Sequence, residues 1–267
     1  MKYVLINRGD SQSVTITEQF CKFASNYDLI EDDTSPDIVI SIGGDGTLLE
    51  AFHLYEHSLK QTVFLGIHTG HLGFYSDWNP KELETLISLI ATNKSFKITE
   101  YPLVSIDIKT QTKNIHLLAL NEFVIKGLEK SLVMKVKIND DDFETFRGDG
   151  LCISTPSGST AYNKSIGGAL IHPSFESIQL SEIASLNNRV YRTIGSSLLL
   201  PKNHFIELLP QHQGELGIAL DHLNMKIEHI LSIKCKVAED KIRFIRYRPF
   251  PFWFRVRNAF IGNEHLD

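Results

Sequence analysis

The stretch IVISIGGDGTLLE, residues 38–50, decides the fold. It begins with a short apolar run, of the kind expected for a strand covered on both faces, and continues through a glycine-rich turn into an amphipathic helix. Similar apolar runs occur at residues 3–6 and 63–67, with helical spacing between them at residues 15–27 and 47–59. Because strands alternate with helices, the sequence predicts a parallel sheet with covering helices.

A change of pattern near residue 101 predicts a second domain. Before it, residues 78–90 are predicted as a helix, with Asn79 as N-cap and Pro80 in the first helical position. After it, apolar and polar residues alternate, with Asn, Asp or Glu-Asp at the turns, which is typical of antiparallel hairpins. We therefore predict a Rossmann-like α/β domain over residues 1–100, a β-rich domain over 101–246 and a final segment over 247–267.

Three local features of the β-rich domain are predicted separately. The segment PSFESIQLSEIASL, residues 173–186, is expected to be a helix, and Glu239 with Asp240 is expected to form a turn. The run NDDD, residues 139–142, is interpreted as a hairpin turn rather than a cation site, because Asn and Asp favour turns between alternating runs.

Composition indicates a soluble, cytoplasmic, globular protein. The chain has 267 residues, 42% of them hydrophobic, and a net charge of −5, so neither nucleic acid nor an anionic membrane is an expected partner. Its three cysteines are far apart and form no CxxC pair, which favours reduced thiols over a disulfide or zinc framework. No apolar run is long enough for a membrane span, and the N-terminus does not resemble a signal peptide.

Two further patterns could indicate a zinc site or nucleic-acid binding. His53, Glu56 and His57 match the H-x-x-E-H arrangement of some zinc proteases, but both histidines lie opposite the apolar helix face, so we predict no metal site. The tail KIRFIRYRPFPFWFRVR, residues 241–257, interleaves cations with aromatics, which can indicate nucleic-acid binding. Because the chain is acidic overall, we expect instead that the tail packs onto the first domain, with arginines at the rim or facing phosphate.

The turn GGDGT is typical of a phosphate-binding loop. Gly43, Gly44 and Gly46 let a ligand approach the backbone, and the N–H groups and positive dipole end of the following helix favour phosphate. Asp45 is either a helix cap or a reactive carboxylate that the dipole keeps ionised. The chain has neither a GxxxxGK[ST] loop nor a GxGxxG dinucleotide fingerprint.

A second glycine-rich turn, IHTGHLGFYSD at residues 67–77, follows the next predicted strand. The carboxyl ends of parallel strands meet at one edge of a sheet, so we expect both turns at the edge where open α/β folds bind ligands. The aromatic rings of Phe74 and Tyr75 either face a base or pack in the core.

Two polar stretches of the β-rich domain are candidates for nucleotide binding. Residues 146–170, FRGDGLCISTPSGSTAYNKSIGGAL, combine many hydroxyls with glycines, which suits the many acceptors of a nucleotide. Asn121 and Glu122 are predicted inside the apolar strand at residues 117–124. A buried carboxylate needs a partner, and a ribose diol would supply one; the alternative is a polar pair at a strand end.

Together these motifs resemble the NAD kinase family. GGDGT at 43–47, GHLGF at 70–74, LNE at 120–122, RGDG at 147–150 and TPSGSTAYN at 155–163 occur in the family's order and span nearly the whole chain. The resemblance implies phosphorylation of the 2′-hydroxyl of the adenosine ribose of NAD, giving NADP, with ATP or polyphosphate as donor and Mg²⁺ as the expected cation. It also implies a C-terminal all-β sandwich, a tail that returns to the first domain, and a dimer or homotetramer with the NAD site near a subunit interface.

The resemblance also assigns roles to residues. Asp45 would be the catalytic base, with Gly44 and Gly46 beside the substrate, and Asn121 and Glu122 would hold ribose hydroxyls. The other expected contacts are Phe74, Tyr75, Arg147, Asp149, Ser157, Thr160, Ala161, Tyr162, Asn163, Lys164, Ser165, Ala184, Tyr191 and His222, with Tyr191 reaching a neighbouring subunit. Two positions depart from the family pattern: Ser157 replaces a threonine, and His222 replaces a glycine that follows an aspartate.

Two alternative functions share part of this pattern. A lipid kinase of the diacylglycerol type carries a related GGDGT loop, but the polar LNE and TPSGSTAYN motifs argue against an apolar acceptor pocket. A non-catalytic NAD(P)-binding regulator would bind ligand without ATP turnover, and the intact Asp45 argues against it. An aspartate with an ordinary pKa, about 3.9, is a weak base. It would suffice for a loose phosphoryl-transfer transition state.

Overall fold

The chain divides into two compact units. The computed structural model describes residues 1–92, 95–189, 191–212 and 214–262, so the last five residues of the predicted final segment lie outside the described part. The first unit contains Met1–Glu100 and the chain from Lys241 onward, and the second contains Tyr101–Asp240. No helix within the described residues is long and apolar enough to cross a membrane.

The first unit is built on a parallel sheet. Its strands run in the order β2-β1-β3-β4, and the last strand of the chain pairs parallel to β4 through Phe244 and Phe64. The strands are β1 (Lys2–Asn7), β2 (Ile30–Glu31), β3 (Ile38–Gly43) and β4 (Val63–His68), and the helices are α1 (Ser11–Ala24), α2 (Asp45–Tyr55) and α3 (Leu83–Ala91). This confirms the predicted α/β class.

Burial and capping explain why these segments form. Every residue of β3 is buried, as expected for a parallel strand covered on both faces. Asn79 caps a short 3₁₀ turn, Pro80–Glu82, that leads into α3, and the Glu82 side chain completes a capping box. The register of the sheet sets Gly43 beside His68. The glycine-rich turns that follow β3 and β4 therefore begin next to each other, as predicted.

The second unit is an antiparallel β-sandwich. One sheet contains β16-β13-β8-β9, with β5 pairing to β16 and β6, and the other has the order β12-β11-β10-β7-β14-β15. The strands are β5 (Lys97–Thr110), β6 (Asn114–Ala119), β7 (Glu122–Gly127), β8 (Leu132–Ile138), β9 (Asp141–Gly148), β10 (Gly150–Ser154), β11 (Ser177–Ile183), β12 (Leu198–Pro201), β13 (Phe205–Pro210), β14 (Leu216–Leu220), β15 (Leu223–Ile227) and β16 (Ile230–Arg246), and a single helical turn, α4, spans Tyr162–Ser165. Ile106, Phe123, Phe146, Ile178 and Ile233 are among the buried residues of its core. The predicted sandwich is confirmed.

Two local predictions in this unit are wrong. The predicted helix over residues 173–186 contains β11, because Ile178 and Leu180 alternate with polar residues and point into the core with period two. Glu239 and Asp240 form no turn but continue β16, where Glu239 is exposed and Asp240 is partly buried, so neither polar side chain requires the chain to reverse. The NDDD turn is confirmed between β8 and β9, where Asn139 has a φ of 55°.

The tail returns to the first unit as helix α5, Phe252–Phe260. Two arginines of the tail, one before this helix and one within it, do not lie at a rim. Arg246 and Arg255 are only 4% and 7% exposed. Both contact the buried carboxylate of Asp77, Arg246 through Nη1 at 2.7 Å and Arg255 through Nη2 at 3.0 Å. The expectation of rim or phosphate-facing arginines is therefore wrong for this pair, because Asp77 supplies their counter-charge inside the unit.

We expect Asp77→Asn to destabilise the protein strongly. It would leave two buried guanidinium groups without a counter-charge, which typically costs about 3–5 kcal/mol. Urea unfolding measures the change in the free energy of unfolding. Glu176→Gln is the control, because Glu176 pairs with Lys202 at the surface and its loss should leave the unfolding midpoint unchanged. Equal midpoints for the Asp77 variant and the wild type would contradict the prediction.

Candidate active site

The turn after β3 places Asp45 at the first position of α2, with Gly44 as N-cap. The Asp45 side chain does not cap its own helix. Its Oδ2 accepts a hydrogen bond from the backbone N–H of Phe74 at 2.8 Å, and its Oδ1 accepts one from the N–H of Tyr75 at 3.1 Å. The carboxylate is therefore held by the second glycine-rich turn, and the helix-cap alternative is wrong.

The environment of Asp45 changes its acidity. Burial raises the pKa of the carboxyl above its ordinary value, although the N–H groups of Phe74 and Tyr75 and the charges of Arg255 and His68 act in the opposite direction. The expectation of an ordinary pKa is therefore wrong, because the effect of lost hydration outweighs that of the two donors and the nearby charges. A carboxylate with a raised pKa is a stronger proton acceptor.

Gly73 brings the second turn against Asp45. A Cβ at this position would collide with both carboxylate oxygens of Asp45 and lie 2.7 Å from its Cγ. Only glycine permits this approach without movement of the carboxyl group. Gly73 belongs to the GHLGF motif, but the motif alone does not predict this role, because the carboxylate that Gly73 approaches lies 28 residues earlier in the chain.

The rings of Phe74 and Tyr75 have different surroundings. The ring of Tyr75 is buried and stacks on Phe244, with centroids 5.8 Å apart, so the core-packing alternative applies to it. The ring of Phe74 is partly buried and lies near Phe252 and Phe260, with centroids 6.3 and 5.8 Å away. It is the backbone N–H groups of Phe74 and Tyr75 that contact Asp45.

In the second unit, the LNE motif forms a break between strands. β6 ends at Ala119 and β7 begins at Glu122, so the prediction of a continuous strand through Asn121 is wrong. The reason is the Asp221 carboxylate, which accepts from the backbone N–H groups of Leu120, Asn121 and Glu122 at 2.9, 2.7 and 3.1 Å. A side chain thus replaces a strand as the partner of this backbone. In the sequence, Asp221 is only the aspartate before His222, and nothing local predicts this contact, because Asp221 lies 100 residues from Asn121.

The TPSGS turn packs against the same break. Thr155 Oγ1 and Ser157 Oγ donate to the carbonyl of Leu120 at 2.6 and 3.2 Å, and the N–H of Thr155 donates to the carbonyl of Asn121 at 2.9 Å. A Cβ on Gly158 would lie 2.6 Å from the Cα of Asn121, so the turn needs glycine there. The two motifs form one polar cluster inside the unit.

Glu122 is the reactive feature of this cluster. Its side chain is buried, and its Oε2 has no hydrogen-bond partner among the described residues. Burial and then the negative charge of Asp221 raise the pKa of Glu122 to about 8, against a smaller opposing effect of the Tyr162 N–H. A buried polar atom without a partner is unusual in a native protein and marks a place where a ligand can supply one.

The remaining predicted residues separate into groups. Ser157, Thr160 and Asn163 are buried; Ala161, Tyr162, Arg147 and Tyr191 are partly buried; and Asp149, Lys164, Ser165, Ala184 and His222 are exposed. The Asn163 Oδ1 accepts from Ser181 at 2.8 Å. At the other end of β10 from the TPSGS turn, the guanidinium of Arg147 lies 4.7 Å from the ring centroid of Tyr191. The described residues contain no group of three or more His, Cys, Asp or Glu placed to hold a metal.

A glycine-loop α/β unit with a poised carboxylate, joined in one chain to a sandwich with a hydroxyl-rich turn, defines a nucleotide-binding enzyme of the kinase class. The chain belongs to the ATP-NAD kinase family. Residues 6–95 match the ATP-NAD kinase N-terminal domain, and residues 120–245 match the ATP-NAD kinase C-terminal domain.

Relatives of known sequence agree with this family, and solved structures share the fold. The chain is 53% identical to NAD kinase 1 of Halalkalibacterium halodurans over 99% of this chain and 100% of that protein. It is 50% identical to the NAD kinase of Geobacillus stearothermophilus, over 98% and 97% of the two chains. Its fold is similar to yeast NADH kinase complexed with NADH, with a TM-score of 0.82 at 16% identity over 99% of this chain and 88% of that one. An Archaeoglobus fulgidus NAD kinase in complex with ATP gives a TM-score of 0.74 at 20% identity, over 98% of each chain.

We expect Glu122→Gln to remove a pH-dependent loss of stability. Because the pKa of Glu122 is raised from 4.5 to about 8 in the folded state, its contribution is fully present below 4.5 and is lost as the pH rises to about 8. Relative to the variant, the wild type should lose up to about 1.4 kcal/mol of unfolding free energy per pH unit in that window. Urea unfolding at several pH values measures this. Glu50→Gln, at an exposed position of α2, is the control. Parallel curves for wild type and Glu122→Gln would refute the prediction.

Proposed function

We propose that the chain transfers the terminal phosphoryl group of ATP to the 2′-hydroxyl of the adenosine ribose of NAD, giving NADP. Family membership supports this reaction. The observation that carries it is the Asp45 carboxylate, which two peptide N–H groups hold beside the glycine loop and whose pKa is raised by burial. In this proposal Asp45 is the general base.

Asp45 needs to do only part of the chemistry. A loose transition state does not require a free alkoxide, so the carboxylate can orient the 2′-hydroxyl and accept its proton while the new P–O bond forms. A positioned base of this kind contributes about 10²–10⁴ in rate. Positioning of the two substrates and neutralisation of phosphate charge supply the remainder.

The start of α2 suits the phosphates of ATP. Gly44 and Gly46 are exposed, and a Cβ at either would meet no atom of the described residues within 4 Å, so their backbone is open to a ligand. The N–H groups and positive dipole end of the helix favour an anion there. We assign the divalent cation, Mg²⁺, to the ATP phosphates, because Mg²⁺ is usually held by substrate phosphates with few protein ligands.

The polar cluster of the second unit suits the ribose of NAD. We propose that Asn121 and Glu122 bind ribose hydroxyls, and the unpartnered Oε2 of Glu122 supports this. Ser157 and Asn163 would shape the cluster, since Ser157 donates to the carbonyl of Leu120 and Asn163 accepts from the hydroxyl of Ser181. The remaining proposed contacts are Phe74, Tyr75, Arg147, Asp149, Thr160, Ala161, Tyr162, Lys164, Ser165, Ala184, Tyr191 and His222. We further propose a cytoplasmic homo-oligomer, a dimer or tetramer, in which Tyr191 reaches a neighbouring subunit.

Parallel assays of acceptor and donor test the reaction. The purified protein is incubated with NAD and either ATP or polyphosphate, and NADP is measured; NADH and diacylglycerol replace NAD in further reactions with ATP. We expect NADP from NAD with ATP and no phosphorylated lipid. Lipid phosphorylation, or NAD binding with no turnover of either donor, would overturn the proposal.

We expect Asp45→Asn to bind NAD with nearly native affinity and to lose at least about 100-fold in kcat. Glu50→Gln, an exposed position on the same helix, should retain wild-type kcat. Because burial raises the pKa of Asp45, the kcat of the wild type should begin to fall with decreasing pH at a value above 3.8, the ordinary pKa. Near-native turnover of Asp45→Asn would remove Asp45 from the role of base.

A further inference from the structure

Helix α5 contacts the turn that holds Asp45. Nη1 of Arg255 donates to the carbonyl oxygens of Gly73 and Ser76 at 2.5 and 2.6 Å, while its Nη2 contacts Asp77. The side chain of Arg255 is almost fully buried in this arrangement. One guanidinium group thus contacts the turn at three residues, Gly73, Ser76 and Asp77, and the first contact is with the peptide just before Phe74.

The contact with Gly73 continues directly to Asp45. The carbonyl of Gly73 and the N–H of Phe74 belong to the same peptide unit, which is rigid and planar. Arg255 donates to the oxygen of this unit, and the nitrogen of the same unit donates to Asp45 Oδ2 at 2.8 Å. Hydrogen bonds that are linked in series polarise one another. A cation bound to the Gly73 carbonyl therefore makes the Phe74 N–H of the same peptide a stronger donor to Asp45.

We propose that Arg255 is a positioning residue for Asp45, acting through the peptide unit between Gly73 and Phe74. This inference rests on the proposed role of Asp45 as general base. Arg255 contacts neither substrate nor the reacting atoms in this scheme. Its role is to fix the Phe74 N–H that donates to the carboxylate and, with it, the direction in which the carboxylate faces.

Aromatic packing assists the same attachment. Phe252 and Phe260, which begin and end α5, lie on either side of Arg255 in sequence and both contact the ring of Phe74. The Phe74 backbone is therefore fixed by its ring and by the peptide that precedes it. A single helix that is distant in sequence holds the donor to Asp45 by two independent contacts.

Electrostatics distinguish this role from a purely structural one. The charged groups that face Asp45 within the first unit are Arg255 and His68, and both lower the pKa of its carboxyl against the effect of burial. Arg246 contacts the carbonyl of Tyr75 and the carboxylate of Asp77. Removing the charge of Arg255 should therefore raise the pKa of Asp45 further, so that protonation inactivates the base at a higher pH.

Three variants test the proposal in the full-length protein. Arg255→Met removes the charge and the hydrogen bonds at similar length. Arg255→Lys keeps the charge but lacks the planar fork that reaches several carbonyls. Arg257→Met is the matched control, because Arg257 lies on the same helix and is exposed. The measurements are kcat, KM for NAD, the pH profile of kcat and the thermal unfolding midpoint.

We expect Arg255→Met to lower kcat by about 10- to 100-fold, the usual effect of a misplaced catalytic group. Its KM for NAD should change by less than about threefold, and the acid limb of its kcat profile should move to higher pH. Arg255→Lys should keep the acid limb near that of the wild type with a reduced kcat. Arg257→Met should match the wild type in all four measurements.

Two outcomes overturn the proposal. The first is wild-type kcat with an unmoved acid limb in Arg255→Met. The second is a lower unfolding midpoint in both Arg255 variants with an unchanged acid limb in each, which is the result of a purely structural ion pair. If Arg255→Met does not fold, Arg255→Lys alone tests the proposal. A lower kcat with an unmoved acid limb in Arg255→Lys supports positioning by the guanidinium fork, and a wild-type kcat in that variant refutes the proposal. An active Asp45→Asn variant would instead defeat the proposed function, so the two failures are distinguishable.

Discussion

A carboxylate that leaves water needs hydrogen-bond donors, and in the first unit two successive peptide N–H groups supply them to Asp45. Several other features of this unit position the two N–H groups and the carboxylate. The parallel register sets the ends of β3 and β4 side by side, and Gly73 lets the second turn approach the carboxyl group. The tail then fixes the turn from its other side through Arg255. Loosening any one of these supports would change where the carboxylate points.

In the second unit, a carboxylate again accepts hydrogen bonds from successive peptide N–H groups, but there it shapes the backbone. There the Asp221 carboxylate accepts from three consecutive N–H groups and holds the backbone open between β6 and β7. Its charge also disfavours ionisation of Glu122, so the pKa of that neighbour is raised to about 8. The Asp221 carboxylate thus organises the chain, while Glu122 keeps a buried oxygen that has no hydrogen-bond partner among the described residues. Pairs of carboxyl groups with such different environments are typical of functional sites.

Membership of the ATP-NAD kinase family rests on both halves of the chain. Two solved structures with similar folds are 16% and 20% identical to it, so the architecture tolerates extensive replacement of side chains. In our interpretation, such replacement must preserve a small number of close contacts made by the backbone. Gly73 against Asp45 and Gly158 against Asn121 are two of them, because a side chain at either glycine would occupy space already filled.

The class of each domain and the motifs of the candidate site can be predicted from the sequence, because the alternation of strands and helices and the glycine-rich turns are local patterns. The predictions of a helix at β11 and of a turn within β16 are wrong, since short polar interruptions in an apolar pattern do not show which face is buried. The raised pKa of Asp45 and the contacts of Asp221 and Arg255 depend on tertiary structure. Asp221 lies 101 residues from Leu120, and Arg255 lies 182 residues from Gly73. Burial and hydrogen bonding between such distant residues arise from the packed chain, which places each carboxylate beside donors that its own segment does not contain.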